Sequence, residues 1–264
     1  MSVTDQFLMA MKAYQELRTE QQTGSKSMAL VPQVLQPEVE QPLGASLPQG
    51  SLLLGQAEDG LPILFNVYDP SSGPLLIAGD QGIGKTGFLK WLAHGSSILE
   101  PGDIQYGVVT PFPEEWNEDD SPNGLGIWPA YHPSAQQFLA KLVHWAETLP
   151  RTRQAILLLV DGLDLLTLNG FNLQGELRWL LTQGPQRHIW PVVTTNPAHL
   201  SHRVSWLRYF HTRILGRVKH IHNARLLTDD PQIDLAGLLA GREFILSQPG
   251  DWLKFLLPPL TEGV

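Results

Sequence analysis

Gly79-Asp80-Gln81-Gly82-Ile83-Gly84-Lys85-Thr86 places glycine, lysine and hydroxyl side chains at the spacing G-x-x-x-x-G-K-[ST]. These residue types suit an anion. Glycines reach the positive φ angles that turn successive backbone N–H groups inward as a cradle for phosphate. Lys85 supplies a flexible cation for the terminal phosphates, and Thr86 a hydroxyl for Mg²⁺. A helix beginning near Gly84 and running through Gly87 would point its positive dipole end at the same place. The candidate nucleotide-binding residues are therefore Gly79 to Gly87, with Thr86 as a metal ligand.

A magnesium–phosphate site also needs a carboxylate, and a strand end is the place that fixes one. Ala155-Ile156-Leu157-Leu158-Leu159-Val160 is an unbroken apolar run ending in Asp161, the pattern of a central parallel strand buried on both faces. Asp161 is accordingly the second candidate metal ligand. Hydrolysis further needs a group that activates or orients water. Asp164 has two readings here, approaching that water if the chain turns sharply at Gly162, or capping the next turn. Thr194, Thr195 and Asn196, at the polar tip of another apolar run, are placed to sense the γ-phosphate or simply to end a strand.

The elements that must position these residues follow from the hydrophobic pattern. Leu75-Leu76-Ile77-Ala78 supplies the strand before the loop, and Phe88, Leu89, Trp91 and Leu92 give helical spacing behind it. Strands are predicted at 104–109, 126–128, 155–160, 189–196 and 212–218, and helices at 133–149 and 173–181. Leu52-Leu53-Leu54 and Leu61 to Phe65 form a hairpin, with Pro62 favouring a sheet edge. A second hairpin is predicted from 243–247 and 252–257 around Pro249-Gly250-Asp251. Strands alternating with helices imply an α/β fold, doubly wound and mostly parallel, with its ligand at the carboxyl ends of the strands.

Ahead of this domain, placed at 49–264, residues 1–23 read as a polar helix with a Phe7, Leu8, Met11, Tyr14, Leu17 stripe. Residues 24–48, punctuated by Pro32, Pro37, Pro42 and Pro48, read as a linker. The absence of cysteine in 264 residues excludes disulfides and thiolate metal sites, leaving oxygen and imidazole ligands. No apolar run approaches the roughly 20 residues of a membrane span, and no basic-then-apolar leader is present, so a cytoplasmic location without membrane insertion is expected.

A net charge of −8 offers no global attraction for nucleic acid. Arg203, Arg208, Arg213, Arg217, Lys219 and Arg225 nevertheless form a span without an acidic residue, either a solvated face or a local contact for DNA. His199-x-x-His202 and His220-x-His222 lack an evident third ligand, which favours ordinary histidines over metal sites. Trp91, Trp145 and Trp179 sit beside apolar residues on predicted helices, as core rather than base-stacking platforms.

Taken in order, these segments resemble the FtsK/SpoIIIE/HerA group of P-loop ATPases, motors that move DNA and, in secretion-system relatives, protein. The resemblance runs over about residues 50 to 260. It is carried by Leu52 to Gly55, Gly60 to Ile63, Pro74 to Gly79, Leu158 to Asp161, Val193 to Pro197 and Thr212-Arg213-Ile214. It implies a RecA-like fold with flanking β-hairpins, ATP and Mg²⁺ as ligands, Asn196 in the place of the family's sensor Gln, and Arg213 or Arg217 acting on a neighbour's nucleotide. It also implies a homo-oligomeric ring or a partner ATPase, and double-stranded DNA as a substrate.

Two departures stand out. Gly162 occupies the position of the family's catalytic Glu, so the resemblance does not itself supply a hydrolytic base. No winged-helix DNA reader or membrane anchor is recognisable, so a complete chromosome translocase is not expected. Asp161-Gly162-Leu163-Asp164 is also similar to the "DGLD" of NACHT-type signalling ATPases, which implies the alternative of an ATP-binding switch or scaffold with little hydrolysis.

Overall fold

In the computed structural model the described residues are 48–100, 102–116, 121–148, 154–166, 174–200, 204–228 and 230–258. The expected N-terminal helix and almost all of the expected linker lie outside them. Ten strands form one sheet in the order β2-β1-β10-β9-β8-β3-β7-β6-β4-β5. They are β1 (Ser51–Ala57), β2 (Pro62–Asn66), β3 (Leu75–Ala78), β4 (Ile104–Thr110), β5 (Gly124–Pro129), β6 (Ala155–Val160), β7 (Ile189–Thr195), β8 (Thr212–Leu215), β9 (Glu243–Gln248) and β10 (Asp251–Leu256). From β8 to β5 every neighbour is parallel. The β9–β10 and β1–β2 hairpins extend this half antiparallel, as flanking hairpins.

The unbroken apolar strands are explained by cover on both faces. Ile156, Leu158 and Val160 of β6 join one core cluster, and Ala155, Leu157 and Leu159 the other. Helix α1 (Lys85–Ser97) covers one face with Phe88, Leu89, Leu92 and Ala93. The other face is covered by α2 (Pro133–Thr148), α4 (Gln174–Gln183) and α5 (Ile221–Leu227). A single-turn helix, α3 (Leu163–Leu166), follows β6 directly. Trp91, Trp145 and Trp179 pack half-buried against these clusters.

Pro62 opens β2, the edge strand, where its missing N–H breaks no ladder. Pro191 lies inside central β7. Ile156 N–H donates to the carbonyl of His188, so residues of that parity face β6 and Pro191 faces β3. The β3 register begins only at Leu75–Val192, so proline falls before the first paired rung.

One strand is shorter than the sequence pattern implies. The expected strand 212–218 ends at Leu215, because the chain leaves the sheet to follow the phosphate loop. The Arg217 carbonyl accepts from Asp80 N–H, and Val218 N–H turns to the Leu235 carbonyl. Similarly, β7 stops at Thr195 and Asn196 begins a 3-10 turn, Pro197–His199. No helix among the described residues is long and apolar enough to cross a membrane.

Candidate functional site

The topology brings the candidate residues to one end of the sheet. β3 feeds the loop, β6 runs straight into Asp161, and β7, between them, ends in Thr194 and Thr195. All three contribute at their carboxyl ends, where parallel α/β sheets bind ligands.

The loop is held from several sides. Gly84 is left-handed, with φ of 85°, and a side chain there would also press on the Cα of Gly241 at 3.1 Å. The same approach is fixed by Gly241 N–H donating to the Ile83 carbonyl at 3.1 Å. Ile83 is a plug, 1% exposed, seated against Gly79 and Gly216 so closely that a Cβ on either would lie under 3 Å from it. Asp80 is clamped at both ends: its N–H donates to Arg217 O at 3.0 Å, and its carboxylate accepts from Lys219 N–H at 2.8 Å. Two x positions of the motif, Asp80 and Ile83, are thus the anchors that hold the loop against the segments around Gly216 to Lys219 and Gly241.

Lys85 Nζ donates to the carbonyls of Gly79 and Asp80, each at 2.8 Å, so its ammonium lies over the loop it belongs to. Thr86 Oγ1 donates to one oxygen of Asp161 at 2.8 Å, and Thr194 Oγ1 to the other at 2.7 Å. Gly162 N–H in turn donates to Thr194 Oγ1 at 2.7 Å. Burial holds the Asp161 carboxyl above the usual carboxylate range, with Asp164 adding to this, while the two threonine hydroxyls and the Lys85 charge act against it. A second positive charge beside Asp161 would relieve that burial. The hydroxyl–carboxylate pair and the lysine-covered loop therefore fit Mg²⁺ and a nucleotide phosphate, held by Thr86, Asp161 and Lys85.

Gly162, with φ of 84°, turns the chain sharply and starts α3, which carries Asp164 back under the tip of β7. There its carboxylate, 5% exposed, accepts from Asn196 N–H at 3.3 Å and Thr195 Oγ1 at 3.4 Å, and meets His199 Nδ1 at 2.8 Å. The Asn196 side chain caps its own turn, its amide oxygen accepting from Ala198 N–H at 3.1 Å. His199 had only a metal-type spacing to single it out, and its pairing with Asp164 depends on that turn. Thr194 as the bridge between Asp161 and Gly162 was visible only as a polar strand tip.

The basic span does not form one surface. Arg213 points inward and donates to the carbonyls of Leu207, Phe210 and Leu227. Arg217 is half-buried beside the phosphate loop, its Nε without a hydrogen-bond partner among the described residues. Arg208, Lys219 and Arg225 are exposed, and Arg203 lies outside the described residues. His220 and His222 are exposed, and no metal-binding cluster of His or acidic residues occurs among the described residues.

No protein-family model matches the chain, and no curated protein matches it in sequence. Solved structures do match in three dimensions. The cytoplasmic domain of the type VII secretion ATPase EccC from Thermomonospora curvata superposes with a TM-score of 0.64 at 13% identity, covering 83% of this chain and 28% of that one. EssC from Geobacillus thermodenitrificans, in its ATPases 2 and 3, gives 0.57 at 13%, covering 81% and 46%. The pCW3 conjugation coupling protein TcpA, with ATPγS, gives 0.60 at 14%, covering 79% and 65%. The chain thus spans less than half of the EccC and EssC structures and just under two thirds of the coupling protein. What it shares with all three is the architecture of a P-loop ATPase domain.

Proposed function

We propose that this chain binds ATP with Mg²⁺ between the Gly79–Thr86 loop and Asp161, and works as an ATPase subunit of a motor of the FtsK/HerA type. The observation that supports this most is the link from Thr86 through Asp161 to Thr194, which joins the loop helix, β6 and β7 at one point. Loop N–H groups would receive the α- and β-phosphates, and Lys85 would leave its loop carbonyls for the β- and γ-phosphates. Bound Mg²⁺, held by Thr86 and Asp161, would offset the phosphate charge. Arg217 lies beside the loop of its own chain, which favours a contact in the same subunit over one on a neighbour's nucleotide. A homo-oligomeric ring, and double-stranded DNA as the cargo, belong to the same proposal, with protein cargo the counterpart suggested by secretion ATPases of this architecture.

A second reading, a switch that holds ATP with little turnover, is favoured by Gly162, which leaves no side chain directly after Asp161. The two separate in one assay: ATP turnover by wild type, Lys85→Ala and Gly162→Glu, with and without double-stranded DNA. The motor reading expects wild-type turnover raised by DNA and abolished in Lys85→Ala. Turnover in Gly162→Glu alone would establish the switch.

A further inference from the structure

We propose that His199, held by Asp164, is the group that accepts the proton of the attacking water, in the role left open at Gly162. The inference rests on the ATP-site reading above. Asp164 itself is poorly placed for that role: it is 5% exposed, and donors from Thr195, Asn196 and His199 take up both of its oxygens. The His199 side chain, by contrast, is 42% exposed on the turn that leaves β7, the strand lying between the loop strand and the Asp161 strand. A carboxylate oxygen at 2.8 Å from Nδ1 can only accept, so Nδ1 carries the hydrogen and in the neutral ring the lone pair is on Nε2. A carboxylate behind an imidazole fixes its tautomer and ring orientation and steadies the cation that forms when it takes a proton.

Water oxygen bonds to the γ-phosphorus while the bond from that phosphorus to the β–γ bridging oxygen breaks, its electron pair leaving on ADP. One water proton passes to His199 Nε2 and from there to solvent. His199 is the catalytic residue in this scheme and Asp164 a positioning residue.

The test uses the full chain and measures ATP affinity, single-turnover hydrolysis and thermal unfolding for wild type, Lys85→Ala, His199→Ala and His199→Gln. His199→Gln keeps an amide donor toward Asp164, which preserves the fold without a proton acceptor. Both His199 variants should bind ATP within about twofold of wild type and hydrolyse it about 100-fold more slowly, with added imidazole restoring part of the rate in His199→Ala. Hydrolysis at the wild-type rate in either variant overturns the inference and leaves the ATP site standing. A loss that follows the melting temperature and ignores imidazole overturns it too, as does a wild type that binds ATP without hydrolysing it. Undiminished ATP affinity in Lys85→Ala overturns the ATP-site reading itself.

Discussion

Asp161 and Asp164 flank one sharp turn and are equally buried, at 7% and 5% exposure, yet they are satisfied by different kinds of donor. Asp161 receives two threonine hydroxyls, from Thr86 and Thr194. Hydroxyls rotate, and each can turn its hydrogen away and offer a lone pair to something else. Asp164 receives a main-chain N–H, a hydroxyl and an imidazole. The N–H cannot turn away without moving the β7 tip. One carboxylate is thus arranged to change partners, and burial holds its pKa above the usual carboxylate range. The other is a fixed clamp.

The sharpest way to break this distinction is to remove each carboxylate and follow magnesium. Asp161→Ala should abolish the Mg²⁺ dependence of ATP binding and weaken binding in Mg²⁺ by about 100-fold, the upper range for loss of a metal-supporting group. Asp164→Asn should leave the Mg²⁺ effect within about threefold, because Thr195, Asn196 and His199, which it meets, are not the candidate metal ligands. Nucleotide titrations with Mg²⁺ and with EDTA decide it. Equal losses in both variants would erase the difference drawn above.

Stability should separate the pair by sign. In Asp164→Asn the amide oxygen can keep Asn196 N–H and Thr195 Oγ1, but the NH₂ group faces His199 Nδ1, which can accept only by moving its hydrogen to Nε2, and the loss of the charged acceptor should cost about 1–3 kcal/mol in a urea melt of metal-free protein. In Asp161→Asn both facing groups are hydroxyls that can accept instead, and a desolvated charge disappears, so the variant should gain about 1 kcal/mol at neutral pH. The pH dependence has a definite direction. The folded Asp161 keeps its proton to higher pH than the unfolded chain does, so the wild type loses stability as pH rises from about 4 through the raised folded value. The advantage of Asp161→Asn should therefore grow over that window and vanish below it.

The residues legible in sequence were those whose role is set by their immediate neighbours along the chain. The loop from Gly79 to Thr86 is a local motif, and the β6 run marks Asp161 as the residue after a strand buried on both faces, so the placement of both at one end of the sheet is legible without a fold. The parallel sheet and the two hairpins were legible for the same reason, from apolar period and turn residues. Contacts made across strands were not. That Asp80 ties down Lys219, that Gly84 lies against Gly241, and that Arg213 turns inward depend on segments over 100 residues apart or on short helices without a period. The apolar pattern continues past the end of β8 to Val218, but only Gly216 still bonds β3, at Ala78; the Arg217 carbonyl turns to Asp80 of the loop and Val218 N–H to Leu235.

Asn196 offers the finest probe, because its main chain and side chain serve different ends. Its N–H binds Asp164, whereas its amide oxygen caps the Pro197–His199 turn that presents His199. Asn196→Ala keeps the first and loses the second, and should cost about 0.5–1 kcal/mol of stability, the usual scale for a lost cap. Asn196→Ser can cap in the same way and should recover most of that loss. The same serine lacks the reach and the NH₂ group that a γ-phosphate contact would use. Turnover by Asn196→Ser within about threefold of wild type would therefore assign Asn196 to holding the turn, whereas a fall of about 100-fold with stability intact would assign it to the phosphate.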